Sequence, residues 1–156
     1  YKKQGIKSLK EYYTSIKDNI SIPKALEKSF FLKIDDYTIR GFIDRIDILP
    51  NGKAEIIDYK TGQAKDKLTA DNKEQLLLYQ LAAQEVLNLE VEKLTFHYLD
   101  TNKLVSFLGT EKDIEQVKLK VKATIEAIKQ TDFGAAAGFH CQYCNFKDIC
   151  DFVTRG

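Results

Sequence analysis

Asp44, Asp58 and Lys60 are the residues of this chain whose types and spacing could do chemistry. They lie in Gly41–Gly62, GFIDRIDILPNGKAEIIDYKTG, where apolar and polar residues alternate on either side of Pro50-Asn51-Gly52, a sequence with tight-turn chemistry. With a three-residue loop, Leu49 faces Lys53 and Asp44 faces Asp58, their Cβ atoms about 4.5–5.5 Å apart. Lys60, two residues beyond Asp58, projects from the same face, whose remaining members Phe42, Ile46, Ile48, Ala54 and Ile56 are apolar. Two carboxylates opposed at the end of a core-facing surface repel, and burial raises that cost. A hard divalent cation with oxygen ligands, Mg²⁺ or Mn²⁺, resolves the conflict, with Lys60 as additional positive charge. The alternative is a surface hairpin whose acids pair with Lys60 and Arg45. Arg45 and Asp47 alternate onto the opposite face and are expected to be structural, paired with each other or with a helix terminus.

The elements that must hold these groups can be traced along the chain. Gln4 to Ile20 reads as a helix, with Ile6, Leu9, Tyr13, Ile16 and Ile20 at helical spacing and Pro23 as its stop. Leu26–Ile34 reads as a strand, Asp35-Asp36 as a turn, and Tyr37–Leu49 and Ala54–Lys60 as the arms of the hairpin. A charged loop, QAKDKLTA, leads to Asp71, which with Glu74 has capping-box spacing at the start of the helix KEQLLLYQLAAQEVL. Leu94–Leu99 and Leu104–Leu108 form a second hairpin around Asp100-Thr101-Asn102. Thr110 caps a long helix with Ile114, Val117, Val121, Ile125 and Ile128 on one face. The order helix, three strands, helix, two strands, helix predicts an α/β layered domain with a mixed sheet of about five strands.

Composition sets the outer bounds. At 156 residues, with 44% hydrophobic and 30% charged residues, one globular domain is expected over 1–156. A formal charge of +1 excludes nucleic-acid binding by bulk charge, so any such contact requires a local patch. No apolar run approaches a membrane span and the start has no signal-peptide pattern, so no membrane partner and a cytoplasmic location are the expectation. The chain opens at Tyr1 and contains no Met, as expected of a piece of something longer.

GFIDRID…IIDYKTG followed by Gln75-Leu-Leu-Leu-Tyr79 resembles the nuclease motif of the RecB-like branch of the PD-(D/E)XK superfamily, with its restriction-endonuclease-like fold. The resemblance implies that Asp44, Asp58 and the Tyr59 backbone carbonyl hold the metal, that Lys60 is the catalytic lysine, and that Gln75 and Tyr79 support the site and touch DNA. At i and i+4, those two share a helix face. The family's usual upstream His or acid is missing. His97 and His140 both follow the motif, His97 reads as a packed sheet residue, and Glu27 resembles an acid found at the start of the first strand.

The tail, 131–156, carries Cys141-x2-Cys144-x5-Cys150, a spacing that points to a metal in a reducing compartment, zinc being the generic choice for clustered thiolates. After such a core, the triplet resembles the [4Fe–4S] staple of AddB-type and CRISPR-adaptation nucleases, where a fourth cysteine lies upstream. YKKQGIKSLKEYY and TADNKEQLLLYQLAA resemble the C-terminal extension of UvrD/Rep-type helicases. These resemblances imply a DNA exonuclease joined to an ATP-dependent helicase domain or subunit, acting on single strands in DNA end processing and recombination repair. The alternatives are a non-catalytic DNA-binding or helicase-bracing module, or a stand-alone CRISPR-adaptation-type exonuclease.

Overall fold

The structure, a computed structural model, describes residues 2–18, 20–64 and 68–152. The chain divides into two compact units, 1–122 and 123–156. The first holds helix α1 (Lys2–Ile16), strands β1 (Ala25–Ile34), β2 (Tyr37–Ile48) and β3 (Ala54–Lys60), helix α2 (Ala70–Glu85), strands β4 (Val91–Tyr98) and β5 (Lys103–Phe107), and the start of α3 (Glu111–Gln130). The five strands pair in chain order in one sheet. Every neighbouring pair is antiparallel except β3 and β4, which run parallel with α2 as their crossover. This is the mixed, helix-flanked sheet expected of a restriction-endonuclease-like fold.

The predicted hairpin register is the observed one. Leu49 N–H donates to Lys53 O at 2.8 Å, and the ladder runs through Ile48↔Ala54, Ile46↔Ile56 and Arg45↔Ile57. Along β3, Ala54, Ile56 and Asp58 form one buried row, while Glu55, Ile57 and Tyr59 face the other side. In β4, Leu94, Phe96 and Tyr98 continue the buried row beside them. Helix α2 covers this face and is buried nearly all round, through Leu76, Leu77, Tyr79, Leu81, Ala82 and Ala83. Ile114 and Val117 of α3 complete this core.

Three expectations are corrected. The first helix ends at Ile16, and Asn19, in the expected extension to Ile20, lies outside the described residues. Nor does its apolar stripe form its buried face, for Ile6, Leu9 and Tyr13 are exposed. The buried residue of this helix is Ser8, whose hydroxyl donates to Asp100 Oδ1 at 3.1 Å, while Tyr12 OH lies 3.1 Å from Tyr59 OH. The sheet offers α1 a polar surface, and the helix meets it with its hydroxyls. The cap of α2 is Thr69, whose side chain accepts from Asn72 N–H, rather than Asp71; residues 65–67 of the preceding loop lie outside the described residues. Phe42 does not share the face of Asp58. Ile43 and Ile46 are both buried, so the alternation of β2 slips by one across Asp44-Arg45 and turns Phe42 outward. The opposite position in β1 is irregular as well. The ladder passes from Leu26↔Arg45 to Lys28↔Ile43, and Glu27 between them has a left-handed φ of 47°.

Thr110 caps α3 as expected, its hydroxyl accepting from Asp113 N–H while Asp113 Oδ2 accepts from Thr110 N–H. The second unit, taken by itself, contains the end of α3, where Ile128 is exposed, and a 3₁₀ turn over Phe139–Tyr143.

Gly41 is required by close approach. A Cβ there would sit 2.4 Å from Cζ of Phe30, which is buried and packs edge-on against Tyr79 at 6.0 Å between ring centroids. Gly41→Ala is therefore expected to cost about 1–3 kcal/mol, measured by urea unfolding. Part of the loss should return in the Gly41→Ala, Phe30→Leu double variant. Equal stability of Gly41→Ala and wild type would refute the contact.

Candidate active site

Asp58 ends the buried row of β3 and is itself only 1% exposed. Its hydrogen-bonding position is unusual. The Lys60 ammonium lies 2.7 Å from Oδ2, an ion-pair distance, yet among the described residues no directional hydrogen bond reaches that oxygen. Burial pushes the Asp58 carboxyl above its ordinary pKa of 3.8, Lys60 opposes the shift, and repulsion from Asp44 adds to it. The two carboxylates sense each other, although the paired ladder stops at Arg45↔Ile57.

Asp44 sits where β2 slips. Its Oδ2 accepts from the Tyr59 N–H at 3.0 Å, so the side chain takes the place of the next ladder bond and is fixed to the backbone beside Asp58. Lys60 Nζ donates to Gln75 Oε1 at 2.6 Å, and Gln75 Nε2 donates to Tyr79 OH at 2.8 Å. One turn of α2 thus aligns an amine, an amide and a phenol in a single chain of hydrogen bonds. Burial raises the pKa of Tyr79, and Asp58, Asp44 and Glu27 each push it further in the same direction. Glu27 therefore belongs to the electrostatic surroundings of the site. The sequence signal for it was the resemblance alone; its left-handed backbone opposite Asp44 could not be read from residue types.

The other face of β3 holds the site from behind. Arg45 makes a two-pronged pair with Asp47, 2.8 Å from Nε to Oδ1 and 2.8 Å from Nη2 to Oδ2, as alternation predicts. This pair raises the guanidinium pKa further. Tyr59, pushed up to about 12 chiefly by burial, packs edge-on against Tyr12 and lies 5.7 Å from the His97 ring. His97 is a packed sheet residue, with Nε2 2.8 Å from Asn102 Oδ1. Asp100 accepts from Gly62 N–H at 2.8 Å as well as from Ser8, tying the end of the Lys60 strand to α1. Gly62 has φ 94°, a conformation that strains other residues. In the sequence Asp100 reads as an ordinary turn residue, and its role appears only through its contacts with Gly62 and Ser8.

The donor set fits a hard divalent cation. Asp58 supplies a buried oxygen without a directional donor, and Asp44, already anchored through one oxygen, has no protein donor on the other among the described residues. Beside Lys60 and Gln75 a cleft of about 430 Å³ opens, bounded by Gln63, Asn72 and Tyr98. The tail is different. Cys141, Cys144 and Cys150 are free thiols, and among the described residues no three His, Cys, Asp or Glu side chains are gathered as a metal cage.

The sequence matches the family model of the PD-(D/E)XK nuclease superfamily over residues 6–151, and the chain belongs to that superfamily. No curated protein matches it. Among solved structures it is similar to SSO0001, at TM-score 0.54 and 22% identity, covering 94% of this chain and 68% of that one. It is also similar to a candidate exonuclease from Eubacterium rectale, at TM-score 0.61 and 12% identity, covering 96% of this chain and 62% of the other. The chain thus spans under two thirds of the second structure, and at these identities both likenesses concern the fold. No helix among the described residues is long and apolar enough to cross a membrane. Membership of a nuclease superfamily makes nucleic acid the substrate class.

The folded state binds the Asp58 proton more tightly than the unfolded state does. The associated stability is full below pH 3.8 and is lost as pH rises through the raised value. Asp58→Asn should therefore raise the melting temperature of metal-free protein at pH 8. The difference should shrink toward pH 4. A melting temperature lowered at pH 8 would contradict a strained carboxylate.

Proposed function

We propose that this chain is a Mg²⁺- or Mn²⁺-dependent deoxyribonuclease that trims DNA ends, an exonuclease rather than an endonuclease. It takes single strands delivered by a helicase domain or subunit during recombination repair. The observation that carries the chemistry is the buried Asp58 carboxylate, raised in pKa by burial and by Asp44 and lying 2.7 Å from the Lys60 amine. The helicase context rests on the resemblances of the sequence alone.

Asp44, Asp58 and the Tyr59 backbone carbonyl would hold the cation, which when bound supplies Lewis acidity at the scissile phosphate and a more acidic water. The residues of the chain do the positioning. Lys60, half free of the core, directs its ammonium toward the negative charge that develops on the phosphate oxygens. Gln75 fixes the amine through its carbonyl oxygen and is itself fixed by Tyr79, so Lys60 need not reorganise when substrate arrives. The cleft between Lys60 and Asn72 gives the sugar-phosphate chain an approach from the solvent side. Burial of Asp58 excludes competing water from its oxygen.

End-labelled single-stranded oligonucleotides incubated with Mn²⁺, or with EDTA, test the reading. The wild type should shorten the strand only with the metal, and Asp44→Ala, Asp58→Ala and Lys60→Ala should each slow it by at least about 100-fold while remaining folded by circular dichroism. Equal cleavage by all four proteins would place the activity elsewhere, and no cleavage by any would favour a bracing or DNA-binding module.

A further inference from the structure

The slip in β2 leaves an unusual surface on the far side of the β1–β2 hairpin. Three cross-strand pairs share one face: Ser29↔Phe42, Phe31↔Arg40 and Lys33↔Thr38. Phe31 is 59% exposed and Phe42 is 43% exposed. The Arg40 guanidinium lies over both rings, 5.6 Å from the centroid of Phe31 and 5.3 Å from that of Phe42. Among the described residues no carboxylate pairs with Arg40 or Lys33, whereas Lys120 and Lys122 on α3 do have acidic partners. The six residues of this face contribute two cations and no anion.

We infer that this face is a stacking platform for single-stranded nucleic acid, with Phe31 and Phe42 receiving bases and Arg40 and Lys33 receiving phosphates. Exposed rings interleaved with unpaired cations are what a splayed-out strand needs, since every base has a π-face and every link a negative charge. A duplex hides its bases and would find only the two cations. An apolar protein partner would leave these two cations to be desolvated without compensation. Phe42 precedes Asp44 by two residues, about 7 Å along the strand. The identity of the ligand rests on the nuclease reading; the platform does not depend on catalysis.

The platform can be tested without cleavage, by fluorescence anisotropy of labelled dT20 in EDTA. Phe31→Ala and Phe42→Ala should each weaken binding about tenfold, the loss of one stacked base, with unchanged melting temperature, and Phe31→Trp should bind as wild type does. Arg40→Gln should lower the slope of log Kd against log salt by about 0.7, the value of one single-strand phosphate contact, while Phe31→Ala should not. Wild-type affinity in both Phe→Ala variants would overturn the platform, as would equal affinity for duplex or no binding of dT20 by wild type. Hydrolysis of bis(p-nitrophenyl) phosphate with Mn²⁺ reports the nuclease reading separately, because so small a substrate cannot span the platform. Phe31-dependent dT20 binding by a wild type that hydrolyses nothing would support the platform and count against the nuclease.

Discussion

The structure turns on a carboxylate placed where an aliphatic side chain would be most stable. Ala54, Ile56 and Asp58 point into the same core, and only the last is charged. Burial and the neighbouring Asp44 both disfavour its ionised form, and one amine partly offsets them. Such a position is tolerated because the surroundings over-determine it. Asp44 is tied to the backbone N–H of Tyr59, Lys60 is tied to Gln75, and α2 packs over the row through Leu76 and Tyr79. What remains is an electrostatic deficit that a divalent cation would fill.

Both faces of β3 serve that arrangement in different ways. The inner face supplies the charged end of the core. The outer face supplies a polar brace, in which Arg45, Tyr59, Tyr12, His97, Asn102 and Asp100 connect α1 to the strand that carries Asp58 and Lys60. The brace explains why α1 keeps an exposed apolar stripe: its contacts with the sheet are hydroxyl contacts. It also explains the chemistry of the DRID segment. Asp44 belongs to the site and Arg45-x-Asp47 to the brace, so alternate residues serve opposite faces.

Much of this was legible because the informative signals were local. A three-residue turn at Pro50–Gly52 dictates the register from Ile48↔Ala54 to Arg45↔Ile57, which brings Asp44 to the strand that carries Asp58. Periodicity separates Arg45 and Asp47 from them, and i, i+4 spacing joins Gln75 to Tyr79. What was not legible depends on tertiary packing. The slip at Asp44-Arg45 breaks the alternation from which Phe42 was assigned inward, and it is matched across β1 by Glu27 in a conformation no propensity suggests. The exposed stripe of α1 and the role of Asp100 depend on partners 92 residues apart in sequence, Ser8 and Asp100, which no short window contains.

Asp44 and Asp58 are expected to share one divalent ion beside Lys60. Anomalous diffraction from crystals grown with Mn²⁺ tests it most directly. A single strong manganese peak is expected within ligation distance of both carboxylates, about 2.0–2.2 Å from oxygen, and it should be lost in Asp58→Asn. A peak elsewhere, or one that persists unchanged in that variant, would contradict it.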